Sequence, residues 1–381
     1  MRLRTSSKHL LTALSAAAFI NLSASKSYAL VKFNDGRDQI FITASLGGGY
    51  DSNISASNTS EGDFFTTSSL LLEYSRNAGL IGVNGSIGWN LGSFASNSDQ
   101  DFSNPTMSLA FTKNTGRTTG SITLSAARQS QADVNVNMRT DSWNYDAALN
   151  WKYPVIDRYS LSGSFGYGLV DYTDNSVGLV DLTTYTASTD LSYLYSTERQ
   201  LLAGYRIRMS DASAQSKTID HSLTAGVTGK ILSKLNGTVR AGYQIRQDTF
   251  NDKTYDSWTA SASTTWLVNK RMSLTGTLSK DFSTTATDSS VDSSSINVNA
   301  QYSFSSHWSL FAGIGAGYND FLSGIDQGRK DHYLTESIGV NYTLNEHFKA
   351  SLTYSYFQNW SNRTNSEYDR NTVTLNLTTR W

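Results

Sequence analysis

The chain has 381 residues with Cys 0 and Pro 2, and its formal net charge is -1 at pH 7. This near-neutral net charge argues against general electrostatic binding of nucleic acid. The lack of cysteine excludes thiolate metal sites and cysteine nucleophiles. The mean hydropathy of -0.37 is that of a soluble protein, yet Tyr 21, Phe 16 and Trp 8 are many aromatic residues for so polar a chain. This combination is typical of a β-barrel with an apolar outer face and a wet interior.

The N-terminus has the pattern of a secretory signal peptide. Basic residues at positions 2, 4 and 8 precede an apolar run from Leu10 to Leu22, and small residues follow as far as Ala29. The run is too short to span a bilayer comfortably as a helix. We therefore expect residues 1–29 to be cleaved after Sec-type export, and residues 30–381 to form an outer-membrane β-barrel.

From about Asp38 onward, two-faced segments repeat in chain order. In the first, Ile42, Ala44 and Leu46 share one face while Thr43 and Ser45 share the other, which is the alternation of a half-exposed strand. Segments of this kind are separated in turn by a polar stretch and by a tight turn. This arrangement predicts consecutive antiparallel hairpins.

Nine such hairpins can be followed to the end of the chain. The predicted strand pairs are 42–51 with 64–74, 81–91 with 107–111, 122–126 with 143–153, 159–169 with 185–195, 201–209 with 219–231, 235–245 with 258–266, 272–278 with 296–304, 308–318 with 334–342, and 348–356 with 372–381. The fold class is therefore all-β, a transmembrane antiparallel up-and-down barrel of about 18 strands with short periplasmic turns and loops of about 8–14 residues. A soluble β-sandwich or propeller is the alternative, and it would bury its aromatic residues in the middle of its strands.

Aromatic residues of the apolar parity concentrate at strand ends, as the two girdles of a membrane barrel require. Trp151, Trp266 and Trp308 lie beside tight turns, whereas Trp89 and Trp258 lie beside the longer polar stretches.

Glu336 interrupts the apolar parity of its strand. Either that strand contains a bulge, or its upper end lies above the hydrocarbon.

The final strand resembles the C-terminal insertion signal of bacterial outer-membrane barrels. Its apolar face consists of Val373, Leu375, Leu377 and the terminal Trp381. In those barrels the terminal aromatic residue is read by the barrel assembly machinery. The resemblance implies that this machinery, outer-membrane lipid and lipopolysaccharide are partners of the chain.

The inward parity is rich in short neutral polar residues, as expected for an aqueous channel. Charge returns in one cluster of the ninth and eleventh barrel strands, formed by Arg206, Arg208, Arg240 and Arg246. Asp220 and Lys230 lie on the strand between them. The cluster is therefore either a pore-lining patch that attracts anions or an ion-paired part of the wall.

The sequence gives little support for catalysis. His221 shares the lipid-facing parity with Leu223, and no Gly-x-Ser-x-Gly motif accompanies it. The loop aspartates lack the spacing of a calcium loop. We therefore predict a protein that is not an enzyme, with no metal site and no cofactor.

A short motif links the chain to a known family. Gly49, Tyr50, Asp51, Asn53 and Ile54 resemble the Tyr-Asp-x-Asn-Ile signature of the putative β-barrel porin 2 family. The resemblance implies an outer-membrane barrel of this length, often associated with exopolysaccharide export, and it carries over no residue-level site. Polysaccharide and periplasmic export proteins are the partners that it implies.

Three functions follow from these observations. The first is a conduit for polysaccharide export, because general porins fold one long loop into the barrel as a constriction, whereas the loops expected here leave an unobstructed path. The second is a general or small-solute porin. The third is a structural or adhesive surface barrel, which would have a plugged lumen or elaborate loops.

Overall fold

The computed structural model describes residues 29–173, 178–213, 216–249 and 252–381. The predicted signal peptide, apart from its last residue, lies outside these described residues. The strands are β1 Val31–Phe33, β2 Asp38–Asp51, β3 Asp63–Arg76, β4 Gly82–Phe94, β5 Phe102–Lys113, β6 Thr119–Asp133, β7 Met138–Ile156, β8 Tyr159–Tyr172, β9 Leu182–Ser196, β10 Arg199–Ala212, β11 Lys217–Leu232, β12 Leu235–Asp248, β13 Lys253–Leu267, β14 Met272–Thr284, β15 Ser290–Ser303, β16 Trp308–Phe321, β17 Lys330–Thr343, β18 Phe348–Ser361 and β19 Tyr368–Arg380.

Strands β2 to β19 form a closed antiparallel ring. Each pairs with the next along the chain, and β19 pairs with β2 to complete the circle. The short β1 pairs only with β2 among the described strands, in a register that places Val31 opposite Ile40. The predicted barrel of about 18 strands is confirmed.

The outer face of the ring is a continuous apolar band. Ile87 is 65% exposed and Leu223 is 67% exposed, although both are large aliphatic residues. Such exposure would be an aggregation hazard in water but is the normal state of a lipid-facing strand. Tyr195, Trp266 and Trp308 mark the turn end of this face, and all three are exposed.

The strands extend further than the alternation indicated, so the connections between them are correspondingly short. Residues 134–137 alone join β6 to β7, and residues 285–289 alone join β14 to β15. At the opposite end, Gly79 and Gly116 each have a φ of 87°, a conformation that glycine adopts without steric cost. These glycines explain how the chain reverses there in a few residues.

Two details complete the fold. Glu336 pairs in regular register with Ile314 and Tyr356, so the bulge considered for this strand is wrong. Ser98–Gln100 and Thr364–Ser366 form short 3-10 turns between strands. Within the part of the chain that the structure describes, no helix is long and apolar enough to cross a membrane.

Candidate functional site in the barrel lumen

The outer end of the β14–β15 hairpin separates from β13, its neighbour on one side in the barrel wall. Strand β13 pairs with β12 from Lys253 onward. Its pairing with β14 begins only at Ala260, which lies opposite Lys280. Strands β14 and β15 remain paired with each other up to Thr284 and Ser290. Residues 281–292, which we call the inner hairpin, therefore separate from β13, while Val291 and Asp292 stay paired with β16.

The inner hairpin crosses the lumen to the inner faces of β10 and β12. The Arg208 guanidinium donates to the carbonyl oxygen of Phe282, and Arg246 Nη1 donates to the carbonyl oxygen of Ser283 at 2.6 Å. Strands β10 and β14 are four places apart in the ring, which is about 19 Å along a sheet with strands about 4.8 Å apart. Direct contact over that span requires the hairpin to lie inside the barrel.

The tip of the inner hairpin is packed rather than solvated. Phe282 is 2% exposed and Ala286 is 1% exposed. The backbone N–H of Val180, in the β8–β9 loop, donates to the carbonyl oxygen of Ala286 at 2.9 Å, and Leu179 and Leu182 pack in the same apolar cluster. The expectation of an unobstructed path is therefore wrong. Because both faces of this segment lie inside the barrel, it has no apolar lipid-facing side, and its sequence resembles a polar loop.

All four predicted arginines lie together, and each is paired with a carboxylate on another strand. The pairs are Arg206–Asp281 at 2.7 Å, Arg208–Asp220 at 2.6 Å, Arg208–Asp281 at 3.1 Å, Arg246–Asp220 at 2.6 Å, and Arg240–Asp190. Asp220 is 1% exposed and accepts hydrogen bonds from two guanidinium groups. Of the two alternatives for this cluster, the contacts form an ion-paired wall rather than a free basic patch.

Two of these carboxylates, Asp281 and Asp190, were not predicted from the sequence to lie in the cluster. Asp281 lies outside the predicted strands 272–278 and 296–304, yet it faces Arg206 and Arg208 from the base of the inner hairpin. Asp190 on β9 reaches Arg240 on β12 across two intervening strands. Inward parity was the available signal for Asp190. Contacts between strands that are not neighbours depend on the curvature of the ring, which alternation does not encode.

The family motif forms a clasp at the junction of β2 and β19. Asp51 accepts from Arg370 Nε at 2.9 Å, and its Oδ1 also accepts from the backbone N–H of Asn53 at 3.0 Å. The Asn53 side chain is fully buried and donates to the carbonyl oxygens of Ser57 and Asp369. These contacts join the β2–β3 loop to the last strand.

The remaining motif residues support the same junction. A Cβ atom at Gly49 would lie 2.1 Å from the carbonyl oxygen of Val373, so glycine permits β2 and β19 to approach closely. The ring of Tyr50 packs on Phe64 at a centroid distance of 5.0 Å, and Ile54 is 1% exposed. In this structure the motif closes the barrel rather than lining a binding site.

The predicted insertion signal lies on the outer face at the turn end. Val373, Leu375 and Leu377 are exposed along β19. The backbone of Trp381 exchanges two hydrogen bonds with Ile42, at 2.8 and 2.9 Å. Its ring stacks on His347 at 3.9 Å. These contacts give Trp381 a structural role, and its recognition by the assembly machinery remains a prediction.

The barrel matches a known family over more than half of its length. A family model described as "Putative beta-barrel porin 2" matches residues 159–288 and 281–381. The chain belongs to this family. Family and fold together are those of an outer-membrane porin. No curated protein matches the sequence of this porin.

Solved porins share the fold of this family member. OccK2 (OpdF) of Pseudomonas aeruginosa has a TM-score of 0.51 and 12% sequence identity, with 90% of this chain and 97% of that chain covered. OccAB4 of Acinetobacter baumannii has a TM-score of 0.50 and 12% identity, with 90% and 98% covered. At this level of identity the likeness concerns the barrel architecture alone.

Proposed function

We propose that this porin is a non-enzymatic outer-membrane channel for small polar solutes, narrowed by the inner hairpin. The observation that carries the proposal is the hairpin itself, which occupies the lumen between β10, β12 and the β8–β9 loop. A chain polymer needs a continuous path of constant width, whereas a small solute can pass a constriction. The polysaccharide conduit expected first from the sequence therefore loses its main support.

A second contact narrows the loop end of the barrel. Arg329 Nη1 donates to the carbonyl oxygen of Asn135 at 2.7 Å, and Nη2 donates to that of Val134 at 3.0 Å. The β6–β7 and β16–β17 connections lie on opposite sides of the ring, so these bonds reach over the lumen. Arg329 is 1% exposed and is also paired with Asp331. This bridge favours small permeants over polymers for the same reason as the hairpin.

The charge of the constriction is nearly balanced. Each of the four lumenal guanidinium groups lies at hydrogen-bonding distance from one of three carboxylates, Asp190, Asp220 and Asp281, which leaves an excess of one positive charge. Paired charges produce a weak field beyond a few ångströms, and salt screens it further. We therefore expect weak ion selectivity. A strong anion preference at low salt that disappears when all four arginines become Gln would instead indicate a free basic patch.

Solute uptake into proteoliposomes tests the proposal directly. Purified, refolded barrels should accelerate swelling in monosaccharides strongly, in oligosaccharides progressively less, and in long polysaccharide not at all. Uptake of long polysaccharide would restore the export conduit. If neither swelling nor single-channel current is observed with correctly folded barrels, the chain is a structural or adhesive barrel instead.

A further inference from the structure

A polar cavity lies in the lumen beside the base of the inner hairpin. Its volume is about 330 Å³, and strands β9 to β14 contribute its walls. Cavities of about 300 Å³ and above are in the range of small-molecule sites. Two ion pairs, Arg206–Asp281 and Arg240–Asp190, belong to its lining, together with Lys280, which pairs with Asp292 at 2.6 Å.

The cavity is also lined with hydroxyl groups. These come from Ser188, Ser222, Thr224, Thr259, Ser261 and Ser279. Ser188 bonds to Ser164, and Thr259 bonds to the carbonyl oxygen of Lys280. The other four hydroxyls have no side-chain hydrogen-bond partner within the described part of the chain. A hydroxyl can both donate and accept, so these four can satisfy ligand groups of either kind.

The ion pairs restrict the charge of the occupant. An incoming anion would have to displace a carboxylate from a guanidinium, which leaves a charge unpaired and is costly in a partly buried site. An uncharged hydroxyl can instead bond to the outer edges of an intact pair. Gly204 keeps one of these pairs in place, because a Cβ atom there would lie 2.0 Å from Asp190 Oδ1.

We propose that this cavity binds an uncharged, hydroxyl-rich solute about the size of a monosaccharide. The proposal rests on the small-solute channel proposed above, since it assigns that channel a saturable site. The volume, the hydroxyl lining and the pairing of every charged side chain in the lining each favour a sugar-like ligand over a simple ion. The same features disfavour a long polymer, because the cavity is bounded by the inner hairpin.

Two adjacent hydroxyls provide the test variant, and the opposite wall provides its matched control. Ser222→Ala with Thr224→Val removes two cavity hydroxyls from β11. Ser351→Ala with Thr353→Val makes the same change at two positions of β18 whose side chains do not line the cavity.

The readout is the concentration of glucose that half-blocks single-channel current in planar bilayers, corrected for the linear change in bulk conductivity. Wild type and the β18 variant should show the same saturable block. The β11 variant should require about tenfold more glucose, because it loses two neutral hydrogen bonds. Glucuronate, which has the same ring with a carboxylate in place of the hydroxymethyl group, should block less strongly than glucose.

Three results would overturn the site. These are tighter block by glucuronate or by a zwitterionic amino acid than by glucose, equal block in the β11 variant and wild type, or an equal loss in both variants. Calorimetric titration of glucose into the detergent-folded barrel separates this proposal from the channel function. Glucose binding without any current would refute the channel and retain the site, whereas current without saturable binding would do the reverse.

Discussion

Asp220 is the residue on which docking of the inner hairpin depends most. Its carboxylate accepts from Arg208 Nε and Nη2 at 2.8 and 2.6 Å, and from Arg246 Nε and Nη2 at 2.6 and 2.8 Å. The same two arginines donate to the hairpin carbonyl oxygens of Phe282 and Ser283. Asp220→Asn leaves one oxygen for two guanidinium groups, so at least one of the arginines loses its orientation.

The size of the effect follows from burial. Asp220 and Arg246 are each 1% exposed, and Arg208 is 16% exposed. Removing one partner of a buried ion pair costs about 3 to 5 kcal/mol. Taking the lower end of this range, about 3 kcal/mol, the ratio of docked to undocked hairpin should fall roughly 100-fold. We expect higher single-channel conductance and faster current fluctuations.

Planar-bilayer recordings would measure this change, with heat-modifiable gel mobility showing that the variant still folds. Glu198→Gln is the matched control. It removes a carboxylate from the exposed pair with Lys230 at the turn end, where a surface pair is worth about 0 to 1 kcal/mol. Wild-type conductance in a folded Asp220→Asn barrel would refute the idea that this network holds the hairpin in the lumen.

Three further outcomes are expected. Deleting Trp381 should abolish heat-modifiable barrels, because the terminal backbone bonds and the stack on His347 are lost; normal folded yield would contradict this. Leu149→Arg should reduce folding while Asn150→Arg should not, since Leu149 is exposed on the apolar face and a lipid-facing charge costs about 2 to 4 kcal/mol near the midplane; equal tolerance would reverse the assignment of faces. Burial raises the pKa of Asp288, at the hairpin tip, above its ordinary 3.8, so the docked tip is most stable when this group is protonated and loses that stability as pH rises through the raised pKa. Conductance should therefore fall on acidification through the raised pKa of Asp288, and Asp288→Asn should remove this dependence.

The outer face of the barrel could be predicted because lipid imposes one requirement on every second residue. Positions such as Ile87 and Leu223 have to be apolar at mid-membrane, and this constraint repeats around the ring. The alternation therefore gave the strand number, the pairing order and the direction of His221, whose ring bonds to the exposed Tyr205 at 2.7 Å. The alternation does not depend on any contact between distant strands.

The lumen could be predicted only in part. Inward parity brought the four arginines to one region, as the structure has them. Their partners and the inner hairpin were missed because neither is under the lipid constraint. Residues 281–292 have polar or small side chains at most positions on both faces, a pattern shared by solvated loops and by a hairpin enclosed in a wet barrel. The early end of β13–β14 pairing and the bonds of these residues to Arg208 and Arg246 distinguish the hairpin from a solvated loop.

The clasp between Asp51 and Arg370 has a consequence for how the barrel is made. The two residues are 319 positions apart, because the pairing that closes the ring joins its first strand in the chain, β2, to its last, β19. Closing so long a loop is entropically costly, and until it occurs β2 and β19 expose free edges that can pair with other chains. Several charge-assisted bonds at one end of the junction and Trp381 at the other fix a single register as the two edges meet. The family motif at the end of β2 can thus be understood as a safeguard of assembly, acting at the last and most aggregation-prone step of folding.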